Sequence, residues 1–496
     1  MTLDELAVVL LVGSLIVLVS VVGVRLAGRL GVPGLLLYLL LGLLLAAVFP
    51  VFQVEDAQLA TVLGYSALVL ILAQGGLTTR LDQLRPVMWP AVTLASLGVT
   101  VSIVVVAVPL VLLLGVSVQN AILIGAVLAA TDAAAMFSVM RSLRISSRVR
   151  TLLEAEAGFN DAPVVVLVSV VSSDAFGATA WWLIPLIVLG ELVGGAVVGV
   201  AVGFAGRWLL PRLALPAVGL YPIAALAFLV GAYGLADVVH TSGFLAVYIA
   251  AVIIGSTARL PHRRSIVGFA DGLAWIAEIG LFFMLGALAD VSTLPEAIPY
   301  ALVVSGLILL LARPLASVVS LAPFRIPWPT VAFASIAGLR GAVPIVFAAI
   351  PLGLGVPGAR LVFDITLITV LILMLVQVPL IRTAGRRLGV VKAEEAVELE
   401  VESAPLDGMQ AQVLGFEVPD GSGLVGTFVT EMGLPEGAVV SLVVRGEKAI
   451  APDANTRIRA GDQVLIVTTE EVRAATEARM QAVARRGRLA RWLSDG

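Results

Sequence analysis

The chain has 496 residues, of which 60% are hydrophobic and 13% charged, with a mean hydropathy of +1.07. Soluble domains run near ~45–50% apolar and about a quarter charged, so this composition excludes an ordinary soluble protein as well as disordered, collagen-like and coiled-coil chains. The net charge of −3 is the sum of two unlike parts: residues 1–390 hold 20 Arg, no Lys and 17 acids (+3), and residues 391–496 hold 11 Lys+Arg and 17 acids (−6). The absence of cysteine removes disulfides, zinc clusters and thiol catalysis, and two histidines leave almost no room for a His-based metal site.

The reading is therefore an all-α polytopic membrane part over 1–390 and a small α+β part beyond it. The latter divides into an acidic linker or first strand (391–405), a compact module (406–470) and a basic helical tail (471–496). At the N-terminus, MTLDELAVVL carries acids where a signal peptide carries its positive charges, so the run from Leu6 reads as a retained membrane helix. A hydrocarbon core of about 30 Å needs roughly 20 apolar residues per helix. On that template thirteen spans follow in order: 6–24, 33–50, 59–77, 87–114, 121–140, 151–173, 181–206, 217–236, 242–258, 267–289, 296–321, 328–352 and 361–381.

Loop charge orients them. Odd-numbered connections and the segment after the last span hold 17 of the 20 membrane-part arginines, among them Arg80, Arg148, Arg207, Arg263 and Arg382. The even-numbered connections hold Glu55, Asp56, Asp174, Asp237, Asp290 and Glu296, with Arg360 their one basic residue. Positive charge stays on the cytoplasmic side, which places the N-terminus outside and the C-terminal module in the cytoplasm.

Ionisable groups at the bilayer centre cost at least ~2.5–3.5 kcal/mol each, so those present are paired or functional. Span five places Thr131–Asp132 mid-helix. Span six carries Glu154, Glu156, Asn160 and Asp161, and span twelve carries Arg340 between Gly338 and Gly341 with Pro344 beyond. Glu191, Asp271, Glu278, Arg313 and Asp364 are further candidates. Glu156 and Asn160 share a helix face while Asp161 is turned about 100° further round, so Asp161 can face a cavity while Glu156 finds a different partner. A carboxylate and a guanidinium in lipid attract one another, which predicts a structural Glu156–Arg340 ion pair. The bland reading, in which these charges only tie helices together, suits that pair better than it suits Asp161.

With span seven as a linker, spans 1–6 and 8–13 form two inverted six-helix repeats in which the interrupted spans five and twelve correspond. Crossed, broken helices in inverted repeats mark an ion site at the midplane. Asp132 is then expected near positive helix ends and Arg340 near negative ones.

TDAAAMFSV, EAEAGFNDAPVVV and GLRGAVPI, in this order, resemble the monovalent cation/proton antiporter family, in the Na+/H+-exchanger-like branch with an Asn-Asp pair. The resemblance covers roughly residues 6–385. It implies a homodimer in which a transport domain moves elevator-fashion against a dimerisation domain. It also implies that Asp161 binds cation and proton in turn, that Thr131 contributes an oxygen, that Asn160 supports the site and that Asp132 belongs to the crossing, with Glu156 and Arg340 as the structural ion pair. Two departures bear on selectivity: Ala157 stands where many relatives have Ser, and Gln74 where they often have an acid. The lysine-free membrane part favours electroneutral exchange. Two look-alikes are set aside: TVLGYS (61–66) lacks a pore helix, and GSGLVG (421–426) lacks the βαβ unit of a dinucleotide site.

Beyond residue 405, alternating apolar residues in QVLGFEVPDGS, AVVSLVVRGEKAIAP and QVLIVTT predict strands, and LVGTFVTEMG a short helix. This βαβββ-like module resembles the C-terminal (TrkA-C-like) subdomain of regulators of potassium conductance. That resemblance implies pairing in a dimer and, in some relatives, cyclic di-AMP in the dimer groove. The tail holds six arginines on a predicted helix, suited to solvent, to dimer packing or to anionic lipid. The expected protein is a bacterial inner-membrane K+ (or Na+)/H+ antiporter, not an enzyme, with no required cofactor and no nucleic-acid partner. A Na+/H+ antiporter with a purely structural C-terminal domain and a ligand-gated cation channel or sensor are the alternatives.

Overall fold

Hydrocarbon offers the backbone no hydrogen bonds, so an apolar run inside it becomes a helix that satisfies its own groups. The computed structural model describes residues 11, 13–20, 22, 23, 34–49, 52–54, 56–132, 135, 136, 139, 145–173, 176, 177, 180, 182–257, 260–390, 401–406, 411–419, 421–446, 448–469 and 471–487. Most of the expected first span, residues of the second half of span five, Glu55, Asp174, the loop arginines Arg25, Arg29, Arg141, Arg144 and Arg259, segment 391–400 and the tail beyond 487 lie outside the described residues.

The membrane part contains α1 (Gly34–Val48), α2 (Ala57–Thr78), α3 (Leu81–Leu114), α4 (Val118–Ala129), α5 (Ser147–Ser172), α6 (Leu183–Leu209), α7 (Leu220–Val238), α8 (Gly243–Gly255), α9 (Arg263–Ala287), α10 (Leu294–Phe324), α11 (Trp328–Ala337), α12 (Ala342–Gly353) and α13 (Ala359–Arg387). Among the described residues eight helices are long and apolar enough to cross a membrane. The pair α11–α12, bent by 50°, makes a ninth, while α1, α4 and α8 are shorter. The 20-residue template overestimates these three. Nearly all of α8 and the second half of α4 are buried in the bundle, so their ends need not reach the headgroups. Both α3 and α10 contain a π-helical turn, Leu94–Gly98 and Ile308–Ala312.

The helices pack as two bodies. One contains α1, α2 and α6–α9; the other contains α3–α5 and α10–α13; they meet where α12 lies on α2 and α5 on α6 and α8. With no hydrophobic drive between helices in lipid, close approach of backbones is what holds the first body, and glycine permits it. A Cβ at Gly195 or Gly199 of α6 would overlap the Ser242 or Ala246 carbonyl at the start of α8, and one at Gly42 or Gly286 would overlap the facing backbone between α1 and α9. At the seam the Tyr248 ring of α8 lies on Gly158 of α5 and edge-on to Phe159, centroids 5.3 Å apart.

Arg360, the one basic residue of the acidic connections, opens α13. It donates to the Leu288 carbonyl just past α9 (3.3 Å) and to Thr293 Oγ1 (3.4 Å), and it pairs with Asp364 (3.3 Å). Asp364 also accepts from Thr293 Oγ1 at 2.6 Å.

Lys392–Gly496 forms a separate unit. Its strands β1 (Val401–Leu406), β2 (Ala411–Glu417), β3 (Ala438–Arg445), β4 (Lys448–Ile450) and β5 (Asp462–Thr469) make one antiparallel sheet of order β1-β2-β5-β3-β4. Two expectations are corrected here. Segment 424–433 is not a helix beyond the single 3-10 turn Val429–Met432. Gly426 (φ +86°) breaks the chain before it and Gly433 (φ +56°) ends it, while Glu431 caps the Phe428 amide. Nor is the basic helix a separate tail: α14 (Arg473–Arg486) packs Met480, Val483 and Ala484 into the same core as Leu414, Phe416, Val464 and Ile466.

At the end of β3, Arg445 donates to both carboxylate oxygens of buried Asp462, each at 2.8 Å, and the Arg459 amide adds a third bond of 2.8 Å. Burial alone would raise this carboxyl, but the hydrogen bonds from Arg445 and Arg459, with their charges, hold it below the usual range. A depressed carboxyl adds stability that is present above the unfolded value of about 3.9 and is lost as pH falls through the folded one. Asp462→Ala should destabilise the C-terminal domain at neutral pH by roughly 1.5–3 kcal/mol, the range for hydrogen bonds to charged groups. Hydrogen exchange of β3 and β5 in the full chain reads this, and the difference from wild type should shrink in acid.

Candidate functional site

Helix α4 stops at Ala129 and α11 stops at Ala337, both well inside the bundle, and the two unwound stretches 130–132 and 338–341 cross there. Two broken helices strand carbonyls at one side of the crossing and amides at the other, and in an apolar interior each needs a partner. Leu339 supplies one by accepting from the Asp132 amide at 2.9 Å. Asp132 supplies the amide side: Oδ2 accepts from the Ala342 amide that opens α12 (2.8 Å), and Oδ1 from the Ala135 amide (3.2 Å). Arg340 supplies the carbonyl side, donating from Nε to Leu128 O (3.1 Å) and from Nη1 to Gly338 O (2.7 Å). A carboxylate thus sits at the positive helix ends and a guanidinium at the negative ones. Gly341 is required for it, because a Cβ there would overlap the Asp132 carboxylate.

The expected Glu156–Arg340 pair is not what forms. Glu156 is bound by Arg313 of α10, whose Nη1 and Nη2 donate at 2.5 and 3.3 Å, and Arg313 Nη2 also donates to Ala334 O at the end of α11 (3.2 Å). Gly338 makes room for that guanidinium. The stranded carbonyls engage Arg340 through Nε and Nη1, while Arg313 takes both Glu156 oxygens. Arg313 was visible in the sequence as a charge at membrane depth. The structure shows the face it presents: Arg313, Ala316, Ser317 and Ser320 are buried while Leu315, Val318 and Val319 are exposed, so this helix points its polar stripe inward.

Beside the crossing, α5 presents Asn160 and Asp161, both almost wholly buried. Asn160 Nδ2 donates to Thr131 Oγ1 at 2.7 Å, tying α5 to the end of the unwound stretch. Asn160 Oδ1 and one Asp161 oxygen, Oδ1, are buried and accept no hydrogen bond among the described residues. Buried oxygens almost always find a donor or an ion, so a pair without donors, one on a carboxylate, is suited to a desolvated cation or a proton. Thr131, Asp132, Asn160 and Asp161 are therefore brought to one place, whereas Glu156 lies with Arg313. Among the described residues no group of three or more His, Cys, Asp or Glu could hold a metal ion. Of the other membrane charges, Asp271 of α9 accepts from Gln74 Nε2 of α2 at 2.5 Å and takes no part in this cluster.

The family described as "sodium/hydrogen exchanger, transmembrane" matches residues 15–386, and the TrkA-C domain matches residues 413–481. The chain is 32% identical over 473 residues to the K(+)/H(+) antiporter NhaP of Alkalimonas amylolytica, covering 94% of this chain and 82% of that protein. It is 31% identical over 483 residues to the K(+)/H(+) antiporter NhaP2 of Shewanella sp. (strain MR-4), covering 95% and 83%. The solved structure of the sodium proton antiporter MjNhaP1 from Methanocaldococcus jannaschii superposes with a TM-score of 0.66 at 22% identity, covering 77% of this chain and 99% of that one. With broken helices crossing through Asp132 and Arg340, an Asn-Asp pair beside them and a family match over three quarters of its length, the chain belongs to the sodium/hydrogen exchanger family and carries a TrkA-C domain after its membrane part.

Proposed function

We propose that this protein exchanges a monovalent cation for protons across the membrane, with K+ favoured over Na+, at a site centred on Asp161. The observation that carries this reading is the buried Asp161–Asn160 pair, whose unpartnered oxygens sit beside a crossing whose own charges are already satisfied. A desolvated carboxylate attracts a cation and also holds a proton more tightly, so the two compete for one group and each displaces the other. Thr131 and Asn160 supply neutral oxygens, and no membrane lysine stands opposite to carry extra charge, which supports electroneutral exchange. The names of the two K(+)/H(+) antiporter relatives support potassium.

Thirteen spans in two inverted repeats, N-terminus outside and C-terminal domain cytoplasmic, fit this reading. The π-helical turns of α3 and α10 and the breaks after α4 and α11 fall at corresponding places of the two halves, which supports the repeat. The two packed bodies support an elevator in which the body bearing Asp161 slides along α2, α6 and α8 within a homodimer. The TrkA-C domain would bias that movement, with cyclic di-AMP as its ligand of choice. A ligand there acts only by preferring one arrangement, typically by ~1–3 kcal/mol.

Proteoliposomes with a trapped pH dye test the core of this: K+, Na+ or Rb+ gradients should drive counter-movement of protons, and no cation-dependent proton flux would refute it. Asp161→Asn should abolish exchange in folded protein, and substantial residual exchange would remove Asp161 from the centre. Arg313→Ala leaves Glu156 buried and unpaired, at roughly 3–5 kcal/mol. It should depress thermal stability far more than it changes apparent cation affinity, read by melting and by flux side by side. Truncation after Lys392 should leave an assembled exchanger whose pH dependence is altered. An unchanged profile would reduce the domain to a structural role.

A further inference from the structure

A groove of about 880 Å³ lies between α3, α4 and α5 on one side and α6 on the other, along the seam of the two bodies. It runs beside α3 from Ser96 to Leu112, about 24 Å at 1.5 Å per residue, and beside α6 from Ile184 to Leu192. Ser96 is near the midpoint of α3 and Ile184 is at the beginning of α6. The groove therefore runs from about the bilayer midplane toward one surface, the outer one in the orientation proposed above, and its inner end reaches Pro163, two residues past Asp161.

Apart from Ser96 and Thr100 the lining is apolar. Its hydroxyl side chains are consumed locally: Ser96 donates to Val92 O (2.7 Å) and Thr100 to Ser96 O (3.0 Å). Two hydroxyls that already donate within their own helix offer an ion or a water too few partners, which separates the groove from the cation's route. Its rim at Val104, Val108, Leu112 and Leu189 is exposed and continuous with the face that hydrocarbon covers. The open side is thus bounded by bilayer hydrocarbon, and an occupant that enters from there without leaving the bilayer is a lipid chain.

We propose that the groove binds the acyl chains of an outer-leaflet phospholipid, and that these chains act as a compliant spacer between the two bodies near Asp161. The spacer role rests on the antiport reading; the binding does not. The full chain is reconstituted with phosphatidylcholine bearing a photoactivatable acyl chain, illuminated, and the adducts are mapped by mass spectrometry. Adducts should concentrate at least fivefold on 96–112 and 184–192 over the exposed face of α7. They should fall as much in the doubly substituted Val104→Trp, Leu189→Trp protein, whose two rim positions leave the buried packing intact. Exchange by that variant should slow severalfold. Even labelling of all lipid-facing helices, undiminished labelling of the variant, or cross-links from the groove to another protein segment would overturn the binding site. Lost labelling with an unchanged exchange rate would overturn the spacer role. Absence of exchange in the unsubstituted protein would refute the antiport reading and leave the label map to judge the site.

Discussion

The structure turns on how two helices can be broken in the middle of an apolar bundle. An unpaired backbone group there costs several kcal/mol in hydrocarbon. Asp132 and Arg340 remove that cost with opposite charges at opposite helix ends, and each also carries the ladder of the other broken helix across the gap. Once the ends are neutralised, Asn160 and Asp161 can stand beside them without being drawn into pairing. Thr131, the last residue before Asp132, is fixed where Asn160 reaches it.

Around this point the membrane part divides its labour. One body is joined through glycine, with main chains touching and little side-chain volume between them. The other is joined through charge and hydrogen bonds, in which Glu156, Arg313 and the carbonyl of Ala334 tie α5, α10 and α11 together. A frame of backbone contacts resists shear, and an electrostatically knit body moves as a unit. The seam between them carries mostly ring-on-glycine and aliphatic contact, as Tyr248 on Gly158 illustrates.

Much of this was legible before any coordinates. The breaks at 131–132 and 338–341 and the polarity of Asp132 and Arg340 follow from depth and spacing within single helices, whereas the grouping of Thr131 with the Asn-Asp pair came only with the family resemblance. Glu156's partner did not follow, because depth says only that a charge must be paired, while the choice between Arg313 and Arg340 depends on which faces neighbouring helices turn to one another. Segment 424–433 looked helical by composition, but Gly426 and Gly433 occupy left-handed backbone that ends any helix there. For α14 the helix itself was expected but its packing into the core was not. Its charge suggested a solvated tail, yet Thr476, Met480, Val483 and Ala484 recur at i, i+4, i+7 and i+8, the stripe of a helix that packs against a sheet.

Arg360 links the bodies in another way. It holds the first turn of α13 to the end of α9 through a carbonyl, a hydroxyl and Asp364, and its own side chain is 32% exposed. Nearby Asp290 is kept below the usual carboxyl range by Ser292, with Arg360 adding to the effect, so it stays charged in moderate acid. Because the guanidinium is partly exposed, counterions within a Debye length of ~8–10 Å compete with Asp364 for its charge. This competition makes the ionic strength of the medium on that face a determinant of how readily the two bodies part.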